Sequence, residues 1–343
     1  MTMPLTHEVL ADILGDKLSA GCFRSSIRAG TMASGQPIDL PVSVIKGTRP
    51  GPVLWLNGAV HGDEINGILA IFDFMESVAW ENLAGTIVAT PVSNVTALDA
   101  RTKRVPQDDQ DLDQSFPGVS GGMLSQRMAY ALFEEIRTHA DVVVNFHTMN
   151  PYFDSAPYAV YKTAGDGAPA EAELLAALSC FSPFVACRMS VSSSAELPGN
   201  NSGALDYQCL KLGKLAFMIE LGGGSRQEAA YVEAGTAGLS RLARHLKMLA
   251  DDGDQKPDNV MRVTARRHVF CGEGGFFRQH AEAGTTLKAG EPLGTIRSAF
   301  GHLVETISFD ADVKIIGLRT DPVVHSGDRV AFVGLEWDGV DVR

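Results

Sequence analysis

The stretch 54-LWLNGAVHGDEINGILAIFDF-74 begins as a continuous apolar run and ends with apolar residues at helical spacing. The first part is typical of a buried strand and the second of an amphipathic helix. His61 and Glu64 lie at the junction, separated by a glycine and an aspartate. A buried strand followed directly by a helix predicts an α/β fold, in which ligands bind at the carboxyl ends of the strands. We therefore expect this junction to carry chemistry.

The same alternation continues along the first 250 residues. Apolar strand-like runs cover 53–60, 86–92, 141–146 and 215–221, and helical patterns cover 66–80, 124–140 and 229–250. Continuous apolar strands separated by helices predict a mixed, mostly parallel sheet sandwiched by helices. The acidic stretch 251-DDGDQKPDN-259 is typical of a linker, and short β-like pieces with Gly and Asp turns follow it. We predict a catalytic α/β domain over 1–250, a linker over 251–259 and a small all-β, barrel-like domain over 260–343.

Composition excludes several classes of protein. The chain has 343 residues, of which 45% are hydrophobic and 20% charged, as is ordinary for a globular enzyme. The net charge of −12 and the absence of a basic cluster with interleaved aromatic residues argue against nucleic-acid binding. No apolar run approaches the ~20 residues that cross a membrane. The five scattered cysteines form no C-x-x-C motif, and the N-terminus is a poor signal peptide, so we expect a reducing cytoplasm.

Ionisable residues and one asparagine cluster at the predicted strand ends. His61 and Glu64 follow the first strand, Asn94 follows the second, His147 ends the third and Glu220 ends the fourth. Two imidazoles and one carboxylate form the ligand set of a catalytic zinc site, which leaves a position open for water. The set also suits iron, cobalt or manganese. A second carboxylate is then needed to move protons, and Glu220 is placed for that role.

Each of these residues also has a structural interpretation when it is taken alone. A histidine after an apolar strand is more often a hydrogen-bonded core residue than a ligand. A glutamate such as Glu64 often faces the N-terminus of a helix. A carboxylate that closes a run as apolar as 215-LAFMI-219 has no such simple explanation. The joint pattern therefore favours the metal site.

These residues resemble a known family, the succinylglutamate desuccinylase/aspartoacylase family of the zinc carboxypeptidase clan. The resemblance covers about residues 40 to 335. Its motifs occur in the family's order, as 59-AVHGDEINGI-68, 91-PVSNVTA-97, 101-RTKR-104, 111-DLDQSFPG-118, 142-VVVNFH-147 and 219-IELGG-223. Segments 272–296 and 321–330 are similar to the small lipoyl-like barrel that ends many members.

The resemblance implies a reaction and a set of roles. The reaction is hydrolysis of the N-acyl amide bond of a small N-acylated amino acid or amine. One Zn²⁺ per chain would be bound by His61, Glu64 and His147, with Glu220 as general base and acid. A basic side chain of 101-RTKR-104 would polarise the scissile carbonyl; we favour Arg104, with Lys103 or Arg101 as alternatives. Asn94 and Arg101 would also contact the substrate, and the resemblance is compatible with a homo-oligomer.

One motif departs from the family pattern. Where relatives have D-L-N-R, this chain has 111-DLDQ-114. The Asn–Arg pair of relatives grips a substrate carboxylate through two parallel hydrogen bonds, which neither Asp113 nor Gln114 provides. We hypothesise that these two residues contact a neutral or cationic group of the substrate. In the alternative, the acidic loop is merely solvated and another arginine supplies the grip. We also expect the polar loop 192–204 to line the substrate cleft.

Two other functions compete with the deacylase. A carboxypeptidase-type metallopeptidase must recognise a terminal carboxylate, and the missing arginine counts against it. A non-catalytic zinc- or ligand-binding relative has no need of a base, and the presence of Glu220 counts against it.

Overall fold

The structure, a computed structural model, describes residues 6–7, 9–15, 17–192 and 200–343. The α-helices are α1 (Leu10–Leu14), α2 (Asn66–Ser77), α3 (Val95–Ala100), α4 (Leu124–His139), α5 (Glu171–Leu178), α6 (Leu205–Leu210) and α7 (Ala229–His245). Short 3-10 helices cover Trp80–Asn82, Leu112–Gln114 and Ser179–Phe181. The strands are β1 (Thr6–His7), β2 (Gly21–Thr31), β3 (Pro37–Lys46), β4 (Arg49–Asn57), β5 (Ala84–Thr90), β6 (Val142–Met149), β7 (Phe153–Ser155), β8 (Tyr158–Tyr161), β9 (Ala186–Arg188), β10 (Leu215–Gly223), β11 (Asn259–Phe270), β12 (Gly275–Gln279), β13 (Thr285–Leu287), β14 (Pro292–Arg297), β15 (Leu303–Ser308), β16 (Val313–Arg319), β17 (Val323–Val324) and β18 (Arg329–Asp341).

The four predicted strands form the centre of one sheet. Their order is β5-β4-β6-β10, and all three pairings are parallel. Every residue of β5 and β6 is buried, as expected for strands covered on both faces. Helix α2 packs on α7, and α4 packs on α6. The predicted α/β class, with helices around a central parallel sheet, is confirmed.

Two predicted elements end earlier than their apolar patterns suggest. Strand β4 stops at Asn57 rather than at residue 60, and Ala59 has a left-handed φ of 45° that a strand cannot contain. Helix α7 stops at His245 rather than at residue 250, and Lys247 has a φ of 59°. In both cases buried apolar residues continue past the end of the regular element, because the following turn also packs into the core.

The C-terminal residues form strands, as predicted, but these strands extend the central sheet. Strand β9 pairs in parallel with β8 on one side and with β11 on the other. Strand β11 pairs with β18 along its whole length, and a separate four-stranded sheet of β15-β14-β12-β17 lies beyond. The predicted division into domains at 251–259 stays a prediction. One hydrogen-bonded sheet continues from strands before this segment to strands after it.

No helix in the described part of the chain combines the length and the apolar character needed to span a membrane.

A buried ion pair ties the chain after β8 to helix α6. Lys162 Nζ lies 2.7 Å from Asp206 Oδ2, and the two side chains are 1% and 0% exposed. We expect Lys162→Met to lower the free energy of unfolding by about 3–5 kcal/mol, because the variant leaves Asp206 buried without a countercharge. Urea denaturation measures this loss. Lys288→Met is the matched control, since it breaks an exposed pair with Asp312 at 2.8 Å and should change stability little.

The double variant Lys162→Met/Asp206→Leu separates the charge from the packing. It should recover most of the lost stability, because replacing both charges removes the desolvation cost. A single variant as stable as the wild type would mean that the pair does not stabilise the fold.

Candidate active site

The carboxyl ends of the parallel strands meet at one edge of the sheet. Asn57 of β4 pairs with Asn145 of β6, and Glu220 of β10 pairs with His147 of β6. Parallel pairing in this register carries the chain after β4 and the ends of β6 and β10 to the same level. His61, Glu64, His147 and Glu220 therefore all reach one cavity of about 480 Å³.

A glycine allows the chain after β4 to turn into this site. A Cβ atom on Gly62 would lie 2.0 Å from the carbonyl carbon of Ala97, so only glycine fits against the backbone of α3. The Gly62 N–H donates to the Thr102 carbonyl at 2.9 Å. This close approach fixes the turn that places His61 and Glu64 on the same side of the chain.

The steric role of Gly62 gives a testable result. We expect Gly62→Ala to lower the free energy of unfolding by about 1–3 kcal/mol, because the methyl group forces the two backbones apart. Thermal or urea denaturation measures the change. Gly121→Ala is the matched control, since its added Cβ meets nothing within 4 Å. Equal stability of the two variants would contradict this account of the glycine.

The predicted ligand residues form a compact buried group. Ligand atoms of His61, Glu64 and His147 all lie within 4.8 Å of one another. Glu64 bridges the two rings, with Oε1 2.8 Å from His61 Nδ1 and Oε2 3.0 Å from His147 Nδ1. The three residues are 5%, 6% and 3% exposed. The Thr148 N–H also donates to Glu64 Oε2 at 3.1 Å, which fixes the carboxylate.

The second nitrogen of each imidazole faces another polar group. His61 Nε2 lies 2.9 Å from Asp111 Oδ1. His147 Nε2 lies 2.8 Å from the Asn145 amide nitrogen and 3.9 Å from Asp113 Oδ1. Metal-binding histidines usually have such an outer partner, which orients the ring. Asp111 was not predicted in this role, although it lies in the quoted 111-DLDQ-114 motif.

Electrostatics within this group favour a carboxylate between two cations. Burial is the largest effect on His61 and lowers its pKa, with Lys103 acting in the same direction. Glu64 and Asp111 together outweigh both and raise the pKa to about 10. Burial alone would raise the pKa of Glu64, yet the two imidazoles hold it well below its usual range. The buried Glu64 carboxylate therefore requires positive charge on both sides.

Glu220 lies at the end of β10, beside His147. Its Oε2 atom is enclosed and has no hydrogen-bond partner among the described residues. Burial raises the pKa of Glu220 to about 7, while His147 opposes the shift and Glu64 adds to it. A carboxyl group with this pKa both accepts and releases a proton near neutral pH.

The other predicted site residues divide into two groups. Lys103, Arg104, Asp113 and Gln114 line the cavity, whereas Asn94 and Arg101 do not. Asn94 instead caps α3 by accepting from the Ala97 N–H, and its amide donates to the Val60 carbonyl at 3.0 Å. Arg101 ends α3 in the left-handed conformation and is exposed.

The polar loop 192–204 is described only in part. Asn201 lines the cavity, and residues 193–199 lie outside the described residues.

The C-terminal strands form a wall of the cavity; a C-terminal β module partly covering the site was expected from the sequence, but none of its residues was predicted to line it. Arg266 and His268 of β11 and Arg329 and Phe332 of β18 line it together with the ligand residues. The Phe332 ring stacks on His268 with 4.6 Å between ring centroids. No motif marked these residues, because the C-terminal region was assigned to a separate module.

Comparison with known proteins identifies relatives of this chain. The family model described as the succinylglutamate desuccinylase/aspartoacylase catalytic domain matches residues 50–246. An N-alpha-acetyl-L-2,4-diaminobutyric acid deacetylase of Halomonas elongata is 25% identical over 337 residues, which cover 96% of this chain and 95% of that protein.

Two solved structures share the fold. A product-bound ectoine utilization protein EutE (DoeB) from Ruegeria pomeroyi aligns with a TM-score of 0.79 at 24% identity, covering 92% of this chain and 96% of that one. A succinylglutamate desuccinylase/aspartoacylase from Rhodobacter sphaeroides aligns with a TM-score of 0.78, the same identity and the same coverage.

Proposed function

Because the chain belongs to the succinylglutamate desuccinylase/aspartoacylase family, we propose that it is a zinc-dependent deacylase of small N-acylated amino acids. The observation that carries this proposal is the position of Glu220. Glu220 lines the same cavity as the His61–Glu64–His147 group, and its enclosed Oε2 atom has no hydrogen-bond partner among the described residues. A proton carrier beside a metal-ligand set is the arrangement that amide hydrolysis needs.

The three buried side chains fit one divalent cation. Two Nδ1 atoms and a carboxylate already converge, and the outer nitrogens are held by other polar groups. The buried Glu64 carboxylate requires nearby positive charge, which a cation bound by the same atoms supplies. His61, Glu64 and His147 would hold a zinc ion there, which would polarise the acyl carbonyl and lower the pKa of water.

The remaining steps belong to side chains of this chain. Glu220 takes a proton from the attacking water and passes it to the leaving amine, which departs as the amide C–N bond breaks. Lys103 and Arg104 both line the cavity and are candidates to stabilise the developing oxyanion. Arg104 Nη1 donates to the Asp109 carbonyl at 3.0 Å, and Lys103 Nζ lies 3.9 Å from Asp111. Both side chains are therefore held at the mouth of the site by neighbouring residues.

We propose that the substrate carries a cationic side chain. Asp113 is buried in the cavity wall, and Gln114 beside it has no charge to repel a cation. The Halomonas elongata relative is named for a substrate with a second amino group, which supports this proposal. The acidic wall would pair with that ammonium group.

Substrate ranking tests the proposed side chain. We expect Nα-acetyl-L-2,4-diaminobutyric acid to be hydrolysed with a kcat/KM about ten- to a hundredfold above that of its neutral analogue Nα-acetyl-2-aminobutyric acid, since a desolvated charge pair is lost. Asp113→Asn should reduce that ratio, whereas Asp109→Asn at an exposed position should keep it. A wild-type preference for the neutral compound would contradict the cationic-substrate proposal.

The proposal extends to the setting of the enzyme. We propose a reducing cytoplasm, which the five scattered cysteines without a C-x-x-C motif support. A homo-oligomer is compatible with the family, and size-exclusion chromatography with light scattering would measure its state.

A further inference from the structure

The cationic residues of the cavity differ in their partners. Lys103 Nζ lies 3.9 Å from Asp111, Arg104 Nη1 lies 3.7 Å from Asp109, and Lys162 Nζ lies 2.7 Å from Asp206. Arg329 also lines the cavity, but no carboxylate oxygen of a described residue lies within 4 Å of its guanidinium. Glu220 and Tyr158 attract its charge without forming an ion pair with it.

A shift in strand register turns Arg329 towards the cavity. Arg329 and Phe332 are three residues apart, and strict alternation along a strand would place them on opposite faces. Val269 pairs with Ala331, whereas the next residue, Phe270, pairs with Arg329. Val330 is left over between these pairs, which is the arrangement of a β-bulge. Bulges commonly redirect side chains beside active sites, and here both Arg329 and Phe332 line the cavity.

A continuous series of contacts connects Arg329 to the proposed catalytic centre. Glu220 pairs with Tyr158 across β10 and β8, and the Tyr158 ring lies 6.5 Å from that of Phe332. Phe332 stacks on His268, whose Nδ1 atom lies 3.4 Å from Arg329 Nη1. The guanidinium therefore occupies the wall next to the reacting centre.

The surroundings hold the guanidinium in place without an ion-pair contact from a described carboxylate. Arg329 lies over the Phe153 ring, 4.5 Å from its centroid. Burial, followed by Arg329 and Arg266, lowers the pKa of His268 to about 4, so its imidazole is neutral at pH 7 and does not compete for an anion. Burial also lowers the pKa of Arg329 itself, although Tyr158 and Glu220 oppose the shift. A small anion in contact with the guanidinium would stabilise this buried charge.

We infer that Arg329 binds the carboxylate of the N-acyl amino acid and so determines specificity from the C-terminal β region. This inference rests on the proposed function and names the subsite for the substrate's negative end. A guanidinium offers two parallel donors to a carboxylate, which Gln114 cannot do. The cationic end of the substrate then faces Asp113, and its carboxylate faces Arg329.

Binding of a matched pair of ligands tests the assignment. The probes are Nα-acetyl-L-2,4-diaminobutyric acid and its α-carboxamide, titrated calorimetrically into Glu220→Gln chains so that turnover does not interfere. The acid should bind on the order of ten- to a hundredfold more tightly than the amide, as for a charge-assisted hydrogen bond. Adding Arg329→Gln should bring the ratio close to one, and Arg329→Lys should give an intermediate ratio.

Controls separate binding from folding. Arg278→Gln, at an exposed position of β12, should keep the full acid-to-amide ratio. Should Arg329→Gln unfold, Arg329→Lys still decides the matter, because it keeps a cation over Phe153 but loses the planar fork. An unchanged ratio in the folded variants, or no preference for the acid in the Arg329-containing chain, would overturn the inference.

Turnover by the wild type is measured separately with the same acid. Selective binding without hydrolysis would refute the proposed deacylase activity and leave the carboxylate subsite standing. Hydrolysis by the wild type, together with an acid-to-amide binding ratio that stays the same when Arg329 is replaced, would support the deacylase activity and refute the carboxylate subsite.

Discussion

Replacement of Glu220 by glutamine is expected to lower kcat by about a hundred- to ten-thousandfold, the usual contribution of a general base and acid. Glutamine keeps the size of the side chain but cannot accept the proton of the attacking water. The metal-ligand residues remain, so zinc content should equal that of the wild type. Stopped or continuous assays of amine release measure the rate, and elemental analysis measures the metal.

Glu233→Gln is the matched control for this variant. Glu233 is exposed on α7 and does not line the cavity, so activity should not change. The result also separates the proposed enzyme from its rivals. A non-catalytic binding protein would show no turnover in either chain, and a metallopeptidase would release C-terminal residues from peptides rather than acyl groups. Full activity of Glu220→Gln would refute the assigned role.

His147→Ala is expected to remove most of the bound metal together with the activity. The wild type should contain about one zinc ion per chain, since the three side chains form one catalytic-type site. Loss of an imidazole leaves two protein ligands, too few to hold zinc in such a site. Metal content after dialysis, measured by elemental analysis, gives the result without an activity assay.

His139→Ala controls for the loss of any histidine. His139 lies at the end of α4, 3.6 Å from Glu135 and away from the cavity, so its variant should keep both metal and activity. Unchanged metal in His147→Ala would show that the ligand set is wrong. Metal-free wild type, prepared without chelators, would favour a relic site that binds ligands without catalysis.

The sequence predicted the centre of the site because continuous apolar runs show where the buried strands of a parallel sheet end. Apolar runs marked β4, β6 and β10, and the residue that closes each run, or follows it closely, is placed by topology alone. The family and the fold are confirmed, and the comparisons support the predicted N-acyl amino acid deacylase. The roles of individual residues stay predictions.

Loops and distant strands were harder to predict. Asn94 follows a strand as His61 does, yet it caps α3, because local hydrogen bonds to the backbone compete with the cavity for its amide. Arg101 and Arg104 are three residues apart, and only a turn conformation invisible in the sequence decides that one is directed into the cavity. Arg329 depends on a pairing with a strand almost sixty residues earlier and on a register shift, which no short motif encodes.

Strand β9 has a consequence for how this enzyme could change over time. Its three residues, Ala186–Arg188, bond to β8 on one side and β11 on the other. They connect the strands that carry the chemical centre to the strands that carry Arg329, and β7 makes a second connection by pairing with β16. A one-residue slip in the pairing of β9 would move it by about 3.3 Å along its neighbours and exchange its inward for its outward side chains. Such a slip would change how the C-terminal wall meets the central sheet while every reacting group keeps its own strand.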